Sequence, residues 1–206
     1  MKNAIRALTI VGCLLLALMA VASNIWFSNS FDVRVTGADG RPITDAVVLA
    51  VWRAREPLTG SLHTLLTREA LTEGNGSISI GRWGPTFSRK VFSSVDGTQP
   101  EIWVVSPHHF PIVRQGPLAF RSRLMNVSPL TTGIAIELEP LPNVIDQSVQ
   151  MRVEALAMLA KGMEYGIDVC VWKDARAFEA TFADLESSVG VQGGWFPSSK
   201  CPKGNT

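Results

Sequence analysis

The sequence predicts a mainly β protein, a β-sandwich of about seven strands followed by a C-terminal two-helix appendage. Three observations carry this expectation. Short apolar segments alternate with turn residues at close spacing from Phe31 to Pro140. The run Val47 to Trp52 is apolar at every position, as in a strand covered on both faces. After Leu141-Pro142-Asn143 the apolar residues recur every three or four positions, which is a helical period.

The first 22 residues have another purpose. Lys2 and Arg6 precede an apolar stretch from Ala7 to Met19, and Ala20-Val21-Ala22 follows; charged, apolar and small residues in that order form a secretory signal, with cleavage after Ala22. Two alternatives stand beside it. From Ala7 to Phe27 there are 21 uncharged residues, enough to cross a bilayer core of roughly 30 Å at about 1.5 Å per residue, so an uncleaved anchor is a second reading. Ile10-Val11-Gly12-Cys13 resembles a lipobox, although the apolar run continues past the cysteine. In each case the basic residues keep the N-terminus inside and send the body out. The expected location is therefore periplasmic or extracellular, with membrane contact only if the segment is uncleaved.

Removing residues 1–22 shifts the balance of basic to acidic residues from 19 against 18 to 17 against 18. A near-neutral body without a basic run has no electrostatic footprint for nucleic acid. Cys13 leaves with the signal, and Cys170 and Cys201 are an even pair in an oxidising compartment, where a disulfide is expected. Closing that loop of about 30 residues stabilises by about 3–4 kcal/mol in the chain-entropy account. Neither cysteine belongs to a C-x-x-C, and no histidine follows His109.

Within residues 31–140 the strands come in order. Phe31 to Val35 alternates apolar and polar, and Asp39-Gly40 supplies the positive-φ residue of a tight hairpin turn leading directly to a second strand. Leu62 to Thr72 reads as a strand that Gly74-Asn75-Gly76 turns into Ser77-Ile78-Ser79-Ile80. Glu101 to Val105 and Thr132 to Leu138 complete the set. Gly81 to Pro100 and Arg114 to Leu130 read as long surface loops, the segments where function concentrates. In the tail, residues 143–206, Ile145, Val149, Val153, Leu156, Ala160 and Met163 form one helix face. Phe178, Phe182, Leu185 and Val189 form another, opening after Asp174 as N-cap and ending at Gly190.

Three segments resemble a known family. Asp39-Gly40-Arg41-Pro42-Ile43 with Asp45-Ala46-Val47-Val48 is similar to the first hairpin of carboxypeptidase regulatory-like domains. Thr72-Glu73-Gly74-Asn75-Gly76-Ser77-Ile78-Ser79-Ile80 is similar to their Thr-Asp-x-x-Gly-x-Phe hairpin, with Glu for Asp and Ile for Phe. Val104-Val105-Ser106-Pro107-His108-His109-Phe110 stands where that family has a strand ending in Pro-Gly-Tyr. The resemblance spans residues 31–140 and implies a transthyretin-like (prealbumin-like, Ig-like) sandwich, a non-catalytic module of exported bacterial proteins, with no functional residues to carry across. The expected partner is an envelope protein or a glycan.

Few residues suggest chemistry of their own, and no catalytic, cofactor-binding or metal-binding set is assigned. Adjacent residues on a strand point to opposite faces, so His108 and His109 need a bend at Pro107 or Pro111 to share a metal. A zinc site also needs a third ligand, such as His63 or a carboxylate. A small hydrolase or metal-dependent enzyme using His108 or His109 is the alternative class. Trp83, beside Arg82 in a turn-rich segment, either closes the core or, if exposed, stacks on a sugar or anchors a partner. Trp52 and Trp103 read as core, and Arg114, Arg121 and Arg123 as a solvated face. The single tyrosine, Tyr165, and the end Lys203-Gly204-Asn205-Thr206 do not match the sandwich hydrolases that end in Tyr-Arg-Gly-Ser, nor the dioxygenases that hold iron with two Tyr and two His. No nucleophile elbow, P-loop or dinucleotide fingerprint is present.

Overall fold

Two apolar layers, one on each side of a single sheet, organise this protein. The computed structural model describes residues 9–14, 25–55, 62–87, 94–95, 100–115, 133–162 and 175–191. Ten strands and two long helices lie among them. They are β1 (Ile25–Ser28), β2 (Phe31–Gly37), β3 (Val47–Arg55), β4 (Leu62–Leu71), β5 (Ser77–Ile80), β6 (Trp83–Phe87), β7 (Ser94–Val95), β8 (Glu101–Ser106), β9 (His109–Gln115), β10 (Gly133–Leu138), α1 (Gln147–Gly162) and α2 (Arg176–Ser188).

The larger sheet runs β4-β3-β8-β9, with β7 added at the end of β3; the smaller runs β10-β2-β5, and β1 pairs with β6. All pairings are antiparallel except β10 with β2, which run in parallel. Alternation along β3 explains the layers. Val48, Ala50 and Trp52 join Phe31, Val33, Val35, Ile80, Ile102, Val104, Ile136 and Leu138 in a core shared by the two sheets. Val47, Leu49 and Val51 point the other way, with Trp103 and Val105, against Val149, Val153, Phe178, Phe182 and Leu185 of the helices. The continuous apolar runs of β3 and β8 are thus two interleaved faces, each with its own cover. Residues 143–162 and 175–191 therefore form a third layer on the large sheet.

Each helix is anchored at its start by a carboxylate. Asp146 Oδ1 accepts from the Val149 N–H at 3.0 Å and from the Ser148 N–H at 3.0 Å, an N-cap for α1. The N-cap of α2 is Ala175, which has no side chain for the task; Glu69 of β4 supplies it, accepting from Ala177 N–H at 3.2 Å and Phe178 N–H at 2.9 Å. Glu69 reaches α2 because it stands opposite Leu49 in the ladder, on the helix-facing side of the sheet. The expected cap, Asp174, lies outside the described residues.

Other expectations need correction. Strands β2 and β3 do not form a hairpin. An isolated bridge between Thr36 and Pro42, with the Gly40 N–H donating to the Gly37 carbonyl at 2.9 Å, closes the Asp39-Gly40 turn, and the chain then crosses to the other sheet because β2 pairs with β10 and β5. The Gly74-Asn75-Gly76 turn likewise joins β4 of the large sheet to β5 of the small one. The segment from Gly81 to Pro100, expected as a loop, contains β6 and β7, and Arg114 lies within β9. The alternative anchor reading takes in Ile25 to Phe27, and these residues belong to strand β1, paired with β6. Among the described residues no helix is long and apolar enough to cross a membrane.

Candidate functional site

The three segments that carry the family resemblance meet at one end of the sandwich. Gly76, at φ +71°, passes so close to β2 that its carbonyl accepts the Val35 N–H at 2.7 Å. Val35 in turn accepts from the Ile43 N–H at 3.1 Å. Thr72, 5 % exposed, locks the two crossovers together: its N–H donates to the Ala46 carbonyl at 2.9 Å, and its hydroxyl oxygen accepts from the Ala46 N–H at 3.1 Å. These contacts satisfy backbone groups that no ladder reaches at the crossings.

The third segment joins through Ser106. Ser106 and His109 are paired across the two-residue turn Pro107-His108 that connects β8 to β9. The fully buried Ser106 hydroxyl lies 3.2 Å from Asp45 Oδ1 and 3.2 Å from His109 Nδ1. His109 is half-buried, and desolvation holds its imidazole below the ordinary value of 6.5; His108 adds to this, while Asp45 and Asp39 oppose it. His108, in the turn, is exposed. The histidines are therefore not consecutive residues of one strand: one belongs to the turn and the other opens β9.

Ser, His and Asp together invite comparison with a hydrolase triad, but the order differs. A triad places histidine between a reachable nucleophile and the carboxylate. Here serine is in the middle and is fully buried, so its hydroxyl joins two neighbours and has no access for a substrate. No family model matches this chain, and no curated protein is significantly similar to it. The cluster must be judged on its own geometry. Among the described residues no group of three or more His, Cys, Asp and Glu side chains could hold a metal ion. His63, the third ligand considered from sequence, pairs with Ala54, about 26 Å along β3 from Ala46 at about 3.3 Å per residue.

Trp83 and Arg82 lie toward that far end. The Trp83 ring is 7 % exposed and meets Trp52 edge-on at 5.4 Å between centroids, while Trp52 meets Phe31 at 6.3 Å. Trp83 is therefore part of the core, the first of its two readings, and presents no open face for a sugar, the condition on which the second depended; Arg82 is exposed beside it. The two suggested partner-binding pairs, Trp83 with Arg82 and His108 with His109, do not form one surface. Cys170, Cys201, Arg121 and Arg123 lie outside the described residues. Sequence reasoning missed Asp45, Thr72 and Ser106 as a unit, because their contacts span 61 and 26 positions. Their only sequence signal is a small polar residue or carboxylate at the edge of each apolar run.

Proposed function

We propose that this chain is an exported, non-catalytic module of a bacterial cell envelope, acting by binding or in a structural role and built on a transthyretin-like sandwich of the carboxypeptidase regulatory-like kind. The observation that carries this reading is how the three resembling segments use their polar side chains. Thr72, Ser106 and Asp45 bond to one another's segments and hold the crossovers, which is the role of turn chemistry in a scaffold. Export is supported by the leader-like N-terminus and by the start of β1 at Ile25; cleavage after Ala22 leaves the paired strands whole. A glycan-binding role for Trp83 has no support from its burial.

The test is cross-linking in the native envelope of the producing cell, followed by mass spectrometry of the tagged protein. Peptides beginning at Ser23 and one dominant cross-linked envelope protein are expected. Recovery from the cytoplasm with an intact N-terminus, or zinc bound at one equivalent and lost on changing His108 and His109 to Ala, overturns the reading.

A further inference from the structure

Helix α1 is apolar on two sides. Val149, Val153 and Ala157 are buried against the large sheet. At about 100° per residue the opposite side carries Ser148, Met151, Ala155 and Met158, with Leu159 at its margin, and all five are exposed. Met151, Met158 and Leu159 are each more than half exposed, and they are three of the five exposed large apolar side chains among the described residues after Leu14. Arg152 and Glu154 fall on either flank, so the stripe between them is uncharged. The Arg152 stem does not cover it, because the guanidinium is drawn over the Phe110 ring at 3.7 Å and onto Glu139 at 2.9 Å. Spacing of three, four and three on an outer side is the pattern of a helix that packs against another helix.

The order of sizes along the stripe fits a second copy of the same helix. A two-fold axis at Val153 that sets two copies antiparallel brings residues equally far from Val153, on opposite sides of it, face to face. Met151 then meets Ala155 of the second copy and Met158 meets Ser148, so each large side chain falls on a small one, as close helix packing requires. In parallel order Met151 would meet Met151 and Ala155 would meet Ala155, with bulk on bulk and gap on gap. Ser148 is covered without leaving a proton unpaired, since its hydroxyl already donates to Asp146 Oδ1 at 2.7 Å. The neighbouring helix leaves room, because α2 turns the short side chains of Ala180, Ala183 and Ser187 away from the sheet. Joined where Gln150 Nε2 donates to the Val189 carbonyl at 3.0 Å, α1 and α2 make a layer about 24 Å long and about 20 Å wide. Closing two such layers covers about 500 Å² on each copy, about 1,000 Å² in all, the area at which a specific interface begins.

We propose that the helical layer is a homodimer interface, in which two copies of this chain pack face to face through antiparallel α1 helices, Met151 on Ala155 and Met158 on Ser148. The inference goes beyond the binding-module reading and does not rest on it.

The experiment is sedimentation velocity on the protein as recovered from the producing cell, over a wide range of micromolar concentrations, where a monomer–dimer equilibrium is expected. Met158→Glu and Ala155→Glu leave the inner face of α1 intact. Each is expected to weaken the dimer about tenfold or more with unchanged far-ultraviolet circular dichroism, since a charge is placed in an apolar seam. Leu71→Glu, an equally exposed position at the opposite edge of the large sheet, is expected to leave the equilibrium unchanged. The register is read by producing differently tagged Met151→Cys and Ala155→Cys chains together: the mixed disulfide, identified by mass spectrometry, is expected to exceed either like-with-like link. A monomer at every concentration, a dimer indifferent to Met158→Glu, or an excess of like-with-like links overturns the proposal. So does a monomer whose α1 cross-links to a different envelope protein.

Discussion

Glu69 of β4 caps the helix that begins at Arg176, its carboxylate accepting the N–H of Phe178 at 2.9 Å across 109 positions of sequence. Helix starts leave several N–H groups without partners, and a side-chain acceptor there contributes about 0.5–2 kcal/mol. Glu69→Ala is expected to lower stability by an amount in that range, read by urea unfolding. Amide exchange should speed up first at Ala177 and Phe178. Glu69→Gln, with one carbonyl oxygen, should recover part of the loss; equal exchange in all three proteins would remove the cap from the account of α2.

Gly76 and Gly40 both have positive φ, +71° and +76°, but only one is enclosed. A Cβ on Gly76 would lie 2.5 Å from the Val35 carbonyl oxygen and 2.8 Å from Pro42 Cβ, whereas one on Gly40 meets nothing within 4 Å. Gly76→Ala is expected to destabilise by about 3 kcal/mol or more through combined backbone strain and collision. Gly40→Ala should cost only about 1 kcal/mol. Similar melting temperatures for the two variants would contradict the close contact of the two crossovers.

Phe178 is fully buried, meeting Trp103 edge-on at 6.4 Å and Phe182 at 5.8 Å. Phe178→Ala is expected to cost about 3–5 kcal/mol and to change the near-ultraviolet circular dichroism of Trp103. A chain ending at Pro140 would expose Val47, Leu49, Val51, Trp103 and Val105 together, and should aggregate. A soluble monomer of that length would show that the third layer is dispensable.

His109 is held below 6.5 by burial. The folded protein therefore binds fewer protons than the unfolded chain between the depressed value and 6.5. The stability from keeping this ring neutral is complete above 6.5 and is lost as pH falls through the folded value. Urea midpoints measured from pH 8 to pH 5 should decline more steeply in the unaltered protein than in His109→Gln. Parallel curves would show that the ring titrates as it does in the unfolded chain.

Arg152 of α1 lies 3.7 Å above the Phe110 ring centroid and pairs with Glu139 at 2.9 Å. That carboxylate is held below its usual range, first by the Arg152 hydrogen bond. Arg152→Met keeps the apolar stem but removes both interactions. A small stability loss that shrinks in high salt is expected, since an exposed pair is screened. A loss unchanged by salt would assign the effect to the ring contact alone.

The sequence by itself determined the elements whose neighbours are implied by local pattern. Val47 to Trp52 is apolar at consecutive positions, so both faces had to be covered, and β3 lies between two cores for that reason. The spacing of Phe178, Phe182 and Leu185 located α2, and the turn residues located the ends of β2 and β5. Tertiary structure alone decided which sheet each strand joins. The Asp39-Gly40 turn has the local chemistry of a hairpin, yet its flanking strands separate, because β2 finds its partners in β5 and in β10, about a hundred residues later. The polar cluster followed the same logic. Asp45, Thr72, Ser106 and Glu69 are ordinary residues in their local context, and their roles arise from backbone groups and hydroxyls that folding brings within hydrogen-bond reach. A periodic apolar pattern reports that a face must be buried, whereas the partner of a buried polar atom is specified only when the chain has closed around it.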